Sequence, residues 1–191
     1  MSPRASNRQA LLEAAILCLQ QRGYADTRAR DITSTAGANL ASIGYHFGST
    51  EQLLAEALVE GFRRWFEEFA LRIADDPSAA LRERLIGAAK ALRESVEQNR
   101  GLALAFVEAL ARAPRSSPLR QILADSYQSG RQAVATMLGT GADDTGEALA
   151  SLLIATYDGL LIQTLLDPDR TPDDKQLSAA VQRLLAVAQP V

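Results

Sequence analysis

Residues 27–47 read TRARDITSTAGANLASIGYHF, and this stretch decides how the rest of the chain is understood. It predicts two short helices around Ala36-Gly37-Ala38, with Thr27 placed to cap the first and Asn39 the second, since short polar side chains satisfy the orphan amides of a helix start. A helix-turn-helix needs a small residue where its helices meet, a glycine for a positive-φ turn, and apolar anchors under the second helix. Ala36, Gly37 and the pair Ile32 and Ile43 meet those needs. A plain αα-hairpin makes similar demands, so spacing alone leaves both readings open.

Upstream, Leu11, Ala15 and Cys18 with Leu12, Ile16 and Leu19 recur every three or four residues, which is one broad helical stripe. A first helix is expected from Ser6, with Ser6 and Gln9 as a capping box and Gly23 as the left-handed stop. Cys18 on that stripe reads as an inert core residue, because reactivity requires exposure and a lowered pKa.

Downstream, Ser49 and Gln52 form a second capping box. Leu54, Leu58, Gly61, Trp65, Phe69 and Ile73 then carry a long fourth helix to Asp75-Asp76-Pro77. Leu81, Leu85, Ala88, Leu92 and Val96 mark another helix, and Leu102, Phe106, Val107 and Leu110 a shorter one before Pro114. A loop over 114–118, a helix over about 119–138 and a Gly139-Thr140-Gly141 connection follow. From Glu147 to Leu166 the residues are apolar nearly all round, with a heptad-like line through Ala148, Leu152, Ala155, Gly159, Ile162 and Leu166. A helix of that kind must be covered on more than one side. The final helix, from Asp173 to about Ala188, carries Leu177, Val181, Leu184 and Ala188. Leu152, Ala155, Gly159, Ile162, Leu166, Leu177, Val181 and Leu184 are therefore expected to line a dimer interface, with core packing as the alternative. The fold class is all-α, with a three-helix head over residues 1–50 and a six-helix body over 51–191.

Composition narrows the function. The 191 residues carry a net charge of −3 with one cysteine and one histidine, His46, which excludes internal disulfides and leaves little for a soft-metal site. Charge is uneven along the chain. Residues 1–50 hold five arginines against three acidic residues, whereas the remainder holds 15 basic and 20 acidic ones. An acidic body with a mildly basic head suits phosphate contact at one end only. The start lacks a signal-peptide core and no run of about 18 uninterrupted apolar residues occurs, so a cytoplasmic location is expected. No glycine-rich phosphate loop or nucleophile and base pair is present, so no enzyme activity and no cofactor are expected.

Taken together, Arg8, Leu11, Leu12, Ala14, Ala15, Gly23, Tyr24, Asp31, Ile32, Ala36, Gly37, Tyr45, His46, Phe47, Ser49 and Leu53, with the run YHFGSTEQLL at 45–54, resemble the N-terminal signature of the TetR family. The match covers about 45 residues. The resemblance implies a ligand-responsive transcriptional repressor that binds a palindromic double-stranded operator as a homodimer, with its third helix in the major groove. That helix spans Asn39 to Tyr45. Its implied base readers are Asn39, Leu40, Ala41 and Ser42, of which Asn39 and Ser42 can hydrogen-bond base edges, while Leu40 and Ala41 suit thymine methyls. Thr27, Arg28, Tyr45 and His46 match phosphate-contact positions, which set register rather than sequence. Two positions depart from the family pattern: Gly44 stands where an aromatic is common and Thr50 where a lysine often binds phosphate. The loss shifts weight to an N-terminal arm with Arg4 and Arg8.

The family's habit also implies a small-molecule effector, of a kind the sequence leaves open. Phe62, Trp65, Phe66, Phe69, Phe106, Tyr127 and Tyr157, with Gln163 and Asp158 as polar contacts, are the residues expected to line its pocket, with ordinary core packing as the alternative. The rival to the whole reading is a helical protein-binding adaptor without sequence-specific DNA binding, which would have no use for a head like 27–47.

Overall fold

A backbone break at Gly23 shapes the N-terminal part of the chain. The computed structural model describes the backbone of residues 3–73, 94–139 and 143–187, and side chains within 7–68, 94–139, 143–173 and 175–183. α1 (Pro3–Asp26) carries Gly23 at φ 80°, ψ 179°, outside helical geometry. Only glycine takes such a φ without strain. The stop expected at Gly23 is present as this break, but the start is three residues earlier than Ser6, because proline is well suited to a first helical position. Gln9 accordingly donates to Glu13 on the next turn.

α2 (Ala29–Ala36) and α3 (Leu40–Phe47) follow, joined through Gly37 at φ 62°, ψ 30°. Ile32 and Ile43 are buried between them and α1, together with Leu11, Leu19 and Phe47. α4 (Thr50–Ile73) starts where Ser49 Oγ accepts the amide of Gln52 at 3.1 Å. The helix expected over Leu81 to Leu92 lies outside the described residues; residues 94–98 are helical and Val96 is buried. Then come α5 (Arg100–Arg112), a short 3-10 turn at Ala113–Arg115, and α6 (Ser117–Leu138). α7 (Asp144–Leu166) is capped by Asp143, whose carboxylate accepts the amide of Gly146 at 2.7 Å, and α8 (Asp174–Val187) closes the described chain. No strand occurs among the described residues. Of the Gly139-Thr140-Gly141 connection, Gly139 is described, at φ 69°.

Two compact units result, one from Met1–Arg64 with Asn99–Val134, the other from Trp65–Gln98 with Ala135–Val191. In the first, α1 lies against α5. A Cβ built on Gly101 would overlap the carbonyl of Gln20, and one on Gly61 would press on Leu102 at 3.1 Å. Glycine is what lets these backbones approach. In the second unit, Trp65 is buried and its indole N–H donates to the hydroxyl of Ser95.

α7 meets the length and apolarity of a membrane span, with a mean hydropathy of 1.6 over 18 residues, although no uninterrupted apolar run reaches that length. Only 22% of that window is buried. Leu152 is 67% and Leu166 80% exposed.

An ion network ties α1 to α4 within the first unit. Arg64 reaches Glu13 at 2.5 Å and Glu60 at 2.8 Å, Arg63 meets Glu60 at 2.8 Å, and Arg8 meets Glu56 at 2.6 Å. Hydrogen bonds from Arg63, then Arg64, hold the Glu60 carboxyl down at about 2, and Arg64 lowers that of Glu13. A depressed carboxyl contributes stability above its unfolded pKa and loses it as pH falls through the folded value. Replacing Arg64 with Ala is therefore expected to lower the urea midpoint at neutral pH, with the variant and wild-type midpoints converging as pH drops from about 4.5 toward about 2. A gap that stays constant over that range would show that the network contributes nothing through these carboxylates.

Candidate nucleic-acid interface

α3 sorts its residues by side. Ile43 and Phe47 are buried, while Leu40, Ala41, Gly44 and Tyr45 are exposed, so the outward face is the i, i+1, i+4, i+5 strip opposite the anchors. Leu40 is 56% and Tyr45 69% exposed, unusual for large apolar and aromatic side chains in a chain with room to bury them. Their burial against a partner would offset that exposure.

The start of α3 is set by Asn39. Its Oδ1 accepts the amide of Ser42 at 2.9 Å and the Ser42 hydroxyl at 3.0 Å. The cap expected at Asn39 is present. It also limits base reading: the Asn39 oxygen and the Ser42 proton are committed to each other, leaving the Asn39 amide N–H groups and the Ser42 lone pairs for a base edge.

Thr27 takes a different place from the one expected. It is 6% exposed, and its hydroxyl donates to the carbonyls of Gly23 at 2.6 Å and Cys18 at 3.2 Å. It closes the end of α1 rather than capping α2, because the break at Gly23 leaves acceptors there that a buried hydroxyl must satisfy. Its side chain is buried. The α2 start belongs instead to Arg28, whose amide donates to Asp31 at 2.9 Å. The Arg28 and Arg30 side chains are exposed, and Arg22 pairs with Asp31 at 3.5 Å.

At the other end of α3, the half-buried His46 ring stands edge-on to Tyr45 with centroids 4.9 Å apart, and Thr50 is half-buried at the start of α4. Arg8 is held by Glu56 and lies 4.7 Å over the Phe47 ring. Its guanidinium braces the floor of α3; the Arg4 side chain lies outside the described residues. Cys18 is buried beside Thr35, as its place on the stripe predicts.

The remaining expected residues fall into separate groups. Phe62, Phe106 and Tyr127 gather in the first unit, with ring centroids 4.3 Å and 6.4 Å apart along the series. Trp65 and Tyr157 meet in the second at 6.4 Å. Burial, then the neighbouring Asp158, raises the Tyr157 phenol well above its usual range. Phe66 is half-buried, Gln163 is exposed, and the Phe69 side chain lies outside the described residues. Along α7, Leu152, Ala155 and Ile162 are exposed with Leu166, and nothing stands within 4 Å of a Cβ on Gly159. On α8, Leu177 and Val181 are half-buried and the Leu184 side chain lies outside the described residues.

Sequence reasoning missed the carboxylate of Glu108 on α5, which accepts the amides of Tyr24 at 2.7 Å and Ala25 at 2.9 Å. No local spacing signals a contact across more than 80 residues. The Tyr24 ring is buried and its hydroxyl has no hydrogen-bond partner among the described residues; burial, reinforced by Glu51 and opposed by Arg112, pushes its pKa up to about 12.

This head and body have close counterparts. Residues 11–57 match the family described as bacterial regulatory proteins, tetR family, and residues 80–187 the tetracyclin repressor-like C-terminal domain. The chain belongs to the TetR family. Among TetR-family relatives, the HTH-type transcriptional repressor KstR2 of Mycobacterium tuberculosis is 34% identical over 115 residues, 59% of this chain. The chain spans only 56% of that relative's length. Two solved structures extend the likeness over nearly the whole chain. The multidrug binding protein EbrR in complex with imidazole is 29% identical with a TM-score of 0.66, covering 100% of this chain and 92% of its own. A transcriptional regulator from Pseudomonas aeruginosa PAO1 reaches a TM-score of 0.72 at 23% identity over 98% and 93% of the two chains, which is a likeness of fold.

The division of labour on α3 gives a test. Asn39→Ala is expected to cost about 1 kcal/mol of unfolding free energy through the lost cap, and Asn39→Ser to restore most of it. Leu40→Ala should change stability by less than about 0.5 kcal/mol and act on DNA affinity alone. Equal destabilisation by all three in urea titration would contradict the assignment.

Proposed function

We propose that this TetR-family protein is a ligand-responsive transcriptional repressor that binds a palindromic operator as a homodimer. The observation that carries the reading is the outward face of α3, where Leu40, Ala41, Gly44 and Tyr45 stand exposed on a helix whose opposite side is anchored by Ile43 and Phe47. Residues 1–50 are its reading head and 51–191 its ligand-binding and dimerisation body. Arg28, Tyr45, His46 and Thr50 touch backbone phosphates; Asn39, Leu40, Ala41 and Ser42 approach base edges, with Gly44 leaving room for the groove wall. Working on DNA places the protein in the cytoplasm.

The dimer reading rests on α7. Leu149, Leu152, Ile162 and Leu166 expose apolar surface along one line, with Ala155 and Gly159 between them as small residues that let a second helix close in. A second copy, rather than lipid, is the cover proposed for this helix, since it carries Asp144, Glu147 and Asp158 and starts from a hydrogen-bonded Asp143 cap. The effector is proposed to be an aromatic or apolar small molecule, in line with a relative that is a multidrug binding protein, held by aromatic side chains such as Phe62, Phe106 and Tyr127, which gather in the first unit.

Selection of genomic fragments by the purified protein tests the function. Recovery of inverted repeats, bound with an affinity that falls steeply with salt because roughly one counterion is released per phosphate contacted, is the expected result. Failure to enrich any fragment would favour a protein-binding adaptor. Leu152→Glu and Leu166→Glu test the interface. Each substitution counts twice across a two-fold axis, so sedimentation should give a folded monomer with weakened DNA binding. An unchanged dimer would place the contact elsewhere.

A further inference from the structure

α5 touches the head at three points along one face, and the middle one is chemically the most specific. Gly101 lies against the Gln20 carbonyl, Glu108 accepts the Tyr24 and Ala25 amides, and Arg112 stands 3.9 Å from Glu51 in the first turn of α4. The spacing of seven and then four residues puts all three on a common side of the helix. All of them lie within the first compact unit.

The break at Gly23 explains why a carboxylate is needed. Non-helical φ and ψ take the backbone off the helical path, so the following amides require acceptors and the preceding carbonyls require donors. The Thr27 hydroxyl supplies the donor, to Gly23 and Cys18. Glu108 Oε2 supplies the acceptor, to two successive amides at 2.7 and 2.9 Å. Hydrogen bonds to an ionised acceptor are roughly twice as strong as neutral ones. The fit leaves no slack: a Cβ on Gly23 would come within 2.8 Å of the same oxygen. Beyond this corner α2 and α3 are tied together by Ile32 and Ile43, both buried in the core they share.

We propose that Glu108 is a positioning residue for DNA binding: from α5, its carboxylate holds the corner between α1 and α2 and thereby sets the direction in which α3 is presented, without touching DNA. The proposal rests on the DNA-binding reading of the head. It assigns to a side chain far along the sequence a part in operator affinity that the reading face alone does not account for.

Full-length wild type, Glu108→Ala and Glu108→Gln are compared on two probes, the duplex that wild type recovers from a random-sequence library and an unrelated duplex of equal length. Amide exchange at Tyr24 and Ala25 is followed in parallel. E108A should bind the selected duplex about tenfold more weakly, which is about 1.4 kcal/mol, with unchanged affinity for the unrelated one and faster exchange at those two amides. E108Q keeps a neutral acceptor in place and should recover most of the loss. Wild-type affinity of E108A for the selected duplex overturns the proposal, as do equal losses on both duplexes or amides that stay protected. If E108A does not fold, E108Q decides: a smaller loss confined to the selected duplex supports the role, and unchanged binding overturns it. Should wild type itself recover no duplex, the DNA-binding reading fails first, and is recognised as the cause.

Discussion

The rest of the head depends on how one helix is broken without leaving its backbone unsatisfied. At Gly23, φ 80° takes α1 out of its path where Gly23, Tyr24 and Thr27 are themselves buried. Unpaired amides and carbonyls in such a place cost about as much as lost hydrogen bonds. Thr27 from the following loop and Glu108 from α5 pay that cost from opposite sides. The corner that results aims α2, α2 carries α3 through Gly37, and the exposed strip of α3 is the surface left over once the anchors are buried. The head of this chain is thus shaped by where a backbone break can be satisfied, and α5 takes part in satisfying it.

What was legible in the sequence were features with a short period or a single stereochemical demand. The stripe through Leu11, Ala15 and Leu19 announced a buried helix face, Gly23 and Gly37 announced positive φ, and Asn39 announced a cap; each depends on residues within four positions of one another. Ser6 was misread because polar spacing at 6 and 9 imitates a capping box, while Pro3 can open the helix earlier. Thr27 was misread for a related reason. A threonine before a helix is a cap by propensity, and only the fold reveals that carbonyls behind it compete for the same hydroxyl.

Contacts set by tertiary placement left no trace of that kind. Glu13 with Arg64, Arg8 with Glu56 and Phe47, and Glu108 with the Tyr24 amide join residues dozens of positions apart, and any of these charges reads in isolation as a solvated helix face. By type and position Arg8 suits a phosphate-binding arm; its geometry also sets it against the Phe47 ring beneath α3. The apolar line on α7 was legible as a pattern, and the structure adds that Leu152 and Leu166 stand exposed on it.

The proposed mode of binding, two copies of α3 in successive turns of one duplex, is open to methylation interference on the selected operator, with dimethyl sulfate as the probe of guanine N7 in the major groove. Two clusters of interfering guanines are expected, related by the operator's symmetry and about one helical turn, roughly 10 base pairs, or a multiple of it apart. A single cluster, or a bound duplex indifferent to major-groove methylation, rules that mode out.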